Sequence, residues 1–220
     1  GRFRDPDYLI DLWQEKKVLT NIIRLAGDQP AAFLLTRDLE ISDLGVLGHT
    51  LTTCETLGKA AQLWKTYSPL LLGQMICSDL QPARNELHVV FTEMAALGPL
   101  LSFCVEESLM FGKLIGESLL KTPFAFSRLS VTYPQPTYYR IYEELLKCPV
   151  EFNAKINRIT IAGPTATDHT GQPDTELHEV CLKQCERVRE KASSSQPWAS
   201  RVRDLLARNS TPINLDDVAN

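Results

Sequence analysis

Apolar positions recur at three–four spacing over residues 5 to 26, where Leu9, Ile10, Leu12, Trp13, Leu19, Ile22 and Ile23 predict one side of a helix. Asp5-Pro6-Asp7 supplies its start signal and Gly27-Asp28-Gln29-Pro30 its end. A short helix over 31–35, a third over 44–53 behind Ser42-Asp43, and a fourth over 57–67 capped by Thr56 follow. After Pro69 the spacing changes to alternation. Residues 74–80 and 86–94 predict two strands about a turn at 81–85, with Leu87, Val89 and Phe91 alternating with Glu86, His88, Val90 and Thr92. Gly98-Pro99 introduces the most apolar helix, over 100–121. Residues 126–133 predict a third strand, with Leu129, Val131 and Tyr133 on one side. Pro136-Thr137 opens a helix to Lys147, and 150–152 with 158–161 predict a last hairpin around 153–157.

This order predicts an α+β fold: N-terminal helices, a mostly antiparallel sheet of about four to five strands with helices packed on it, then a helical linker. A Gly/Pro/Thr-rich loop spans 163–173, a charged helix 174–192, and Ser193-Ser194-Ser195-Gln196-Pro197 reads as a flexible linker. A small helix is expected over 198–208. Beyond Ser210-Thr211-Pro212, Asn214 has the look of an N-cap, with Asp216 and Asp217 in the first turn. A lone terminal turn buries no apolar side, so the pattern predicts a chain that continues. The expected organisation is therefore a first domain over 1–173, a helical linker over 174–197, and the start of a further domain over 198–220.

Composition narrows the function. With 44% hydrophobic and 23% charged residues, the chain reads as an ordinary soluble globular protein. A net charge of −4 argues against this segment holding nucleic acid by itself, because DNA affinity needs a concentrated basic face. None of Cys54, Cys77, Cys104, Cys148, Cys181 and Cys185 forms a CxxC pair. His178, Cys181 and Cys185 share one side of a helix, but small apolar thiols in a reducing cytosol explain the cysteines without a metal. No segment reaches the roughly 18 apolar residues that crossing a bilayer takes, so a cytoplasmic protein without membrane contact is expected.

No nucleophile–base constellation, phosphate-binding loop or paired acid stands out, and an enzyme is not expected. Candidate binding residues cluster on the apolar helix. Ser108, Gly112 and Gly116 recur every four residues as a smooth strip that either packs closely on a neighbour or leaves room for a ligand. Glu107 lies among Phe103, Phe111 and Leu114, and so meets an Arg, meets a cationic effector or escapes at an edge. His88 joins Glu107, Phe103, Phe111, Ser108 and Gly112 as a candidate effector contact, although an ordinary hydrogen-bonded histidine explains it too. Leu177, Val180, Cys181, Gln184 and Val188 form a narrow seam that pairs with a second copy or packs on its own domain.

Three stretches carry a family resemblance. Ile41-Ser42-Asp43-Leu44-Gly45-Val46-Leu47-Gly48 followed by Thr56-Leu57-Gly58-Lys59-Ala60 resembles the signature of the arabinose-binding-type N-terminal domain of AraC regulators. Cys148-Pro149-Val150-Glu151-Phe152-Asn153 and Asn157-Arg158-Ile159-Thr160-Ile161 are similar to a second element of that family. Arg201-Val202-Arg203-Asp204-Leu205-Leu206 and Leu215-Asp216-Asp217-Val218-Ala219 resemble the opening of its helix-turn-helix domain. The resemblance implies a one-component bacterial transcription regulator without a cofactor. Its partners would be an unknown small-molecule effector, operator DNA through a C-terminal helix-turn-helix domain, and a second copy in a homodimer. The competing reading is a protein–protein interaction domain with no small ligand.

Overall fold

The first apolar stripe folds as helix α1, Leu12–Ala26. The computed structural model describes residues 12–83, 86–120, 124–162, 169–170 and 173–195. The expected helix start at 5–7, the small helix at 198–208 and the Asn214 cap lie outside these residues. Helix α2, Ala31–Thr36, buries Ala31, Ala32 and Phe33. The predicted third helix is two pieces, a 3-10 turn over Ile41–Leu44 and helix α3 over Gly45–Thr52. Gly45 separates them at φ +58°, a backbone conformation that a side chain disfavours. A Cβ at Gly48 would lie 1.9 Å from the Ile41 carbonyl oxygen, so this glycine permits the close approach of the two pieces. Helix α4, Leu57–Leu71, starts where expected, with Thr56 Oγ1 accepting from the Lys59 amide at 3.3 Å. It runs past Pro69, whose missing N–H removes one helical hydrogen bond two residues before the helix ends.

The sheet has five strands in the order β1-β2-β5-β3-β4: β1 Ile76–Ala83, β2 Glu86–Glu93, β3 Phe126–Ser130, β4 Val150–Glu151 and β5 Asn157–Ala162. The first hairpin forms, but its turn is tighter than predicted. Ala83 pairs with Glu86, and Pro82 sits within β1 opposite Leu87. That position suits proline because β1 is an edge strand with one side unpaired. The second predicted hairpin does not form. Strand β5 pairs antiparallel with β2 and with β3, while β4 pairs parallel with β3. Two residues of β4 carry too little ladder to hold β5, whereas β5 lies between two longer strands.

Between them, β3 and β5 explain how the inner face stays apolar. A bulge at Ser127 lets both Phe126, opposite Ile161, and Leu129, opposite Ile159, point inward although they are three residues apart. Strand β3 ends before Val131 and Tyr133, which were expected to extend it. Helix α5, Leu101–Leu119, enters through a 3-10 turn at Gly98–Leu100 and crosses this face. Helix α6, Arg140–Leu146, starts later than predicted because 137–139 form a turn, and Lys147 closes it in the left-handed conformation. Helix α7, Thr175–Ser195, continues through Ser193, Ser194 and Ser195, which the composition assigned to a linker. The fold class expected from the sequence, α+β with a mostly antiparallel sheet, is the one observed.

Candidate effector pocket

The inner sheet face and two helices line a partly open cavity of about 80 Å³. Strand register explains the sheet side. Ser78 and Leu80 of β1 stand opposite Phe91 and Val89 of β2, and Leu87 of β2 opposite Ile161 of β5, so these side chains project to one face. Leu57, Ala61 and Trp64 of α4 close one wall, and Ser108, Leu109, Gly112, Ile115 and Gly116 of α5 another. The strip of Ser108, Gly112 and Gly116 therefore faces the cavity. Its two glycines do different things. A Cβ at Gly112 meets nothing within 4 Å, so that position opens onto space. A Cβ at Gly116 would lie 2.5 Å from the Phe124 ring, so that position is tightly packed.

Of the six residues expected to contact an effector, Ser108 and Gly112 line the cavity. Phe111 is buried beside it, its ring 5.3 Å from that of Trp64, and Phe103 belongs to the surrounding core. His88 lies on the other face of β2, where Nδ1 is 3.1 Å from Thr160 Oγ1 and Nε2 is 3.8 Å from a Glu86 oxygen. Alternation along the strand puts it there, because Leu87 and Val89 face inward.

Glu107 is half-buried, and among the described residues its hydrogen-bond partner is an amide and not an Arg. Its carboxylate accepts from Gln74 Nε2 at 3.0 Å, and burial, together with the negative charge of Glu15, raises its pKa to about 7. Burial also raises Glu15 of α1 to about 7. Gln74 in turn accepts from Ser108 Oγ at 3.2 Å, which ties the cavity wall to this acidic pair.

The more deeply buried acid is its neighbour, Glu106, only 1% exposed. Tyr142 and Tyr138 donate to its Oε1 at 2.5 and 2.9 Å, and Tyr133 OH lies 3.1 Å from Tyr142 OH. Burial raises the Glu106 pKa to about 7 against the lowering effect of both hydrogen bonds. The sequence reading passed over Glu106 because its partners lie some 30 residues away. The close spacing of Tyr138, Tyr139 and Tyr142 was the available signal. Among the described residues, no three His, Cys, Asp or Glu side chains approach closely enough to hold a metal ion.

Residues 2–164 match the family described as the arabinose-binding domain of AraC transcription regulators, N-terminal. The chain belongs to this family. A curated relative of this AraC-type domain is the ornithine utilization regulator of Pseudomonas aeruginosa, 26% identical over 183 residues, which are 83% of this chain and 53% of the relative. The chain thus spans about half the length of that regulator. The crystal structure of the transcriptional regulator CdpR from Pseudomonas aeruginosa shares the fold, with a TM-score of 0.62 at 17% identity over 94% of this chain and 73% of that one.

In this AraC-type domain α7 lies against α3 and α4. Cys185 Sγ is 3.3 Å from Thr50 Oγ1, His178 Nδ1 is 3.0 Å from Thr53 Oγ1, and Tyr67 donates to Glu186. The five seam residues divide accordingly. Cys181 is buried against the domain and Val188 is half-buried, while Leu177 and Val180 are 47% and 64% exposed and Gln184 is exposed. Cys185 is engaged with Thr50 of α3 and His178 with Thr53 just beyond its end. No helix among the described residues is long and apolar enough to cross a membrane.

Proposed function

We propose that this AraC-type domain is a non-catalytic sensor: a small effector occupies the cavity under α5 and changes how a helix-turn-helix domain of the same regulator meets operator DNA. The observation that carries this reading is the cavity itself, walled by two helices and the sheet inside a domain whose family is a regulator's N-terminal domain. A ligand that prefers one conformation of the domain shifts the regulator toward it, and its differential affinity sets the size of the shift. The family description refers to arabinose and the relative's name to ornithine. Neither chemistry suits the described lining, which offers no carboxylate for a cation and few partners for a ring of hydroxyls. Dimerisation belongs to the same proposal, through the outward stripe of Leu177, Val180 and Gln184, and fits a protein that reads two half-sites.

The test is a thermal-shift screen of sugars, amino acids, fatty acids and cyclic nucleotides on wild type and Gly112→Leu. A true effector at 100 times its Kd stabilises by about 2.7 kcal/mol. That stabilisation should vanish in the variant. A ligand that stabilises both proteins equally binds elsewhere and overturns the assignment. Leu177→Glu with Val180→Glu should convert a dimer to a monomer in sedimentation, and an unchanged dimer excludes the α7 stripe.

A further inference from the structure

We infer that the part of the effector held inside this cavity is a slim, uncharged, unbranched aliphatic chain with at most one hydrogen-bonding group. The inference rests on the reading of the cavity as the effector site and goes on to name its ligand class.

Three features of the wall carry it. The first is polarity. Leu57, Leu80, Leu87, Val89, Ile159 and Ile161 typify the lining, and among the described residues no charged side chain belongs to it. An ion placed here would lose its hydration with no counter-charge, and a polyol would leave most hydroxyls unpaired. Among the described residues, polar side-chain atoms come only from the Ser78 and Ser108 hydroxyls and the Trp64 indole.

The second feature is how Ser108 is already used. Its hydroxyl lies 2.8 Å from the Cys104 carbonyl oxygen and 3.2 Å from Gln74 Oε1, both acceptors for its single proton. What Ser108 has left is acceptor capacity, so the matching ligand group is a donor such as an alcohol.

The third is size and direction. At about 80 Å³ the cavity is roughly half of the ~150 Å³ apolar cavity that admits a benzene ring, so only a small part of a ligand is held inside it. The missing side chain at Gly112 supplies the clear track, since nothing lies within 4 Å of its would-be Cβ, while Phe124 against Gly116 closes the track one turn on.

The experiment is a titration of the 220-residue chain with primary alcohols from 1-butanol to 1-decanol, read by calorimetry, with sorbitol as the polyol comparator. Affinity should rise about fourfold per added methylene until the cavity is filled, then level off. Gly112→Leu, which plugs the track while improving helix propensity, should weaken binding at least tenfold. Ser108→Ala should lower alcohol affinity by about three- to tenfold without altering the length dependence. Gly112→Ala, which has room to fold, serves as the control for helix integrity and should retain binding to the shorter alcohols. Binding with no length dependence, or undiminished in Gly112→Leu, overturns the inference. A sugar or charged metabolite whose binding Gly112→Leu abolishes would also overturn it, while leaving the sensor reading intact. If neither an alcohol nor any screened metabolite binds in a Gly112-dependent way, both readings fall.

Discussion

The two sides of helix α5 solve opposite problems. On one side Glu106 is packed among Tyr133, Tyr138 and Tyr142, and the Tyr142 ring meets Phe33 at 4.9 Å and Phe152 at 5.5 Å. Every polar group there has a partner and every ring a neighbour. On the other side Ser108 and Gly112 leave space against the sheet, while Phe124 packs tightly on Gly116. A buried carboxylate is an expensive thing to put in a core, yet it holds the helix in one place and rotation, because its hydrogen bonds are directional. The contrast teaches a division of labour. The filled side fixes α5, and the unfilled side is then free to be shaped by a ligand without the helix collapsing into the gap.

That contrast can be broken from either side. The largest effect is expected from Tyr142→Ala, which removes a fully buried ring and a hydrogen bond to Glu106. Chemical denaturation should show a loss of about 3–5 kcal/mol. Gly116→Ala forces a Cβ against Phe124 and should cost about 1–3 kcal/mol, with the cavity's affinity for ligand falling in parallel. Gly112→Ala meets no neighbour and replaces a mid-helix glycine, so it should stabilise by up to about 1 kcal/mol. Equal destabilisation by the two alanines would show that the strip is packed throughout and that no cavity exists.

The acids sharpen the same comparison through pH. Burial raises Glu106 from 4.5 to about 7, so the folded protein binds a proton between these values that the unfolded chain releases. Stability from this group is complete below pH 4.5 and is lost as pH rises through about 7. Glu107 and Glu15 act in the same direction. The melting temperature should therefore fall from pH 4.5 to 7, and Glu106→Gln should flatten part of that slope. A slope unchanged by Glu106→Gln would mean that Glu106 is not the group that titrates.

The fold was largely legible because its signals are local. Periodicity located α1, α4, α5 and α7, and alternation located β1 and β2. The partners of β4 and β5 were not legible, since the sequence showed two short strands in succession and nothing local shows that β5 inserts between β2 and β3. The pocket was half legible. Helical spacing placed Ser108 and Gly112 on one strip, and the strip does face the cavity. The same spacing drew attention to Glu107 rather than Glu106, because the tyrosines that receive Glu106 come from beyond the sheet strand that follows α5. The place of His88 follows from alternation: the register of β2 sends Leu87 and Val89 inward and so puts His88 on the other face, beside Thr160. Along α7 the apolar spacing was real, but the buried side is set by Cys181 and Cys185, four residues apart, and this leaves Leu177 and Val180 outside.

The most direct test of the central claim is methyl-resolved NMR of the domain, titrated with the metabolite that gives the largest thermal stabilisation. The account predicts shifts concentrated at Val89, Leu109, Ile115, Ile159 and Ile161, the methyl groups of the cavity wall. Shifts confined to exposed Leu25, Leu177 or Val180, with those five unmoved, would contradict it.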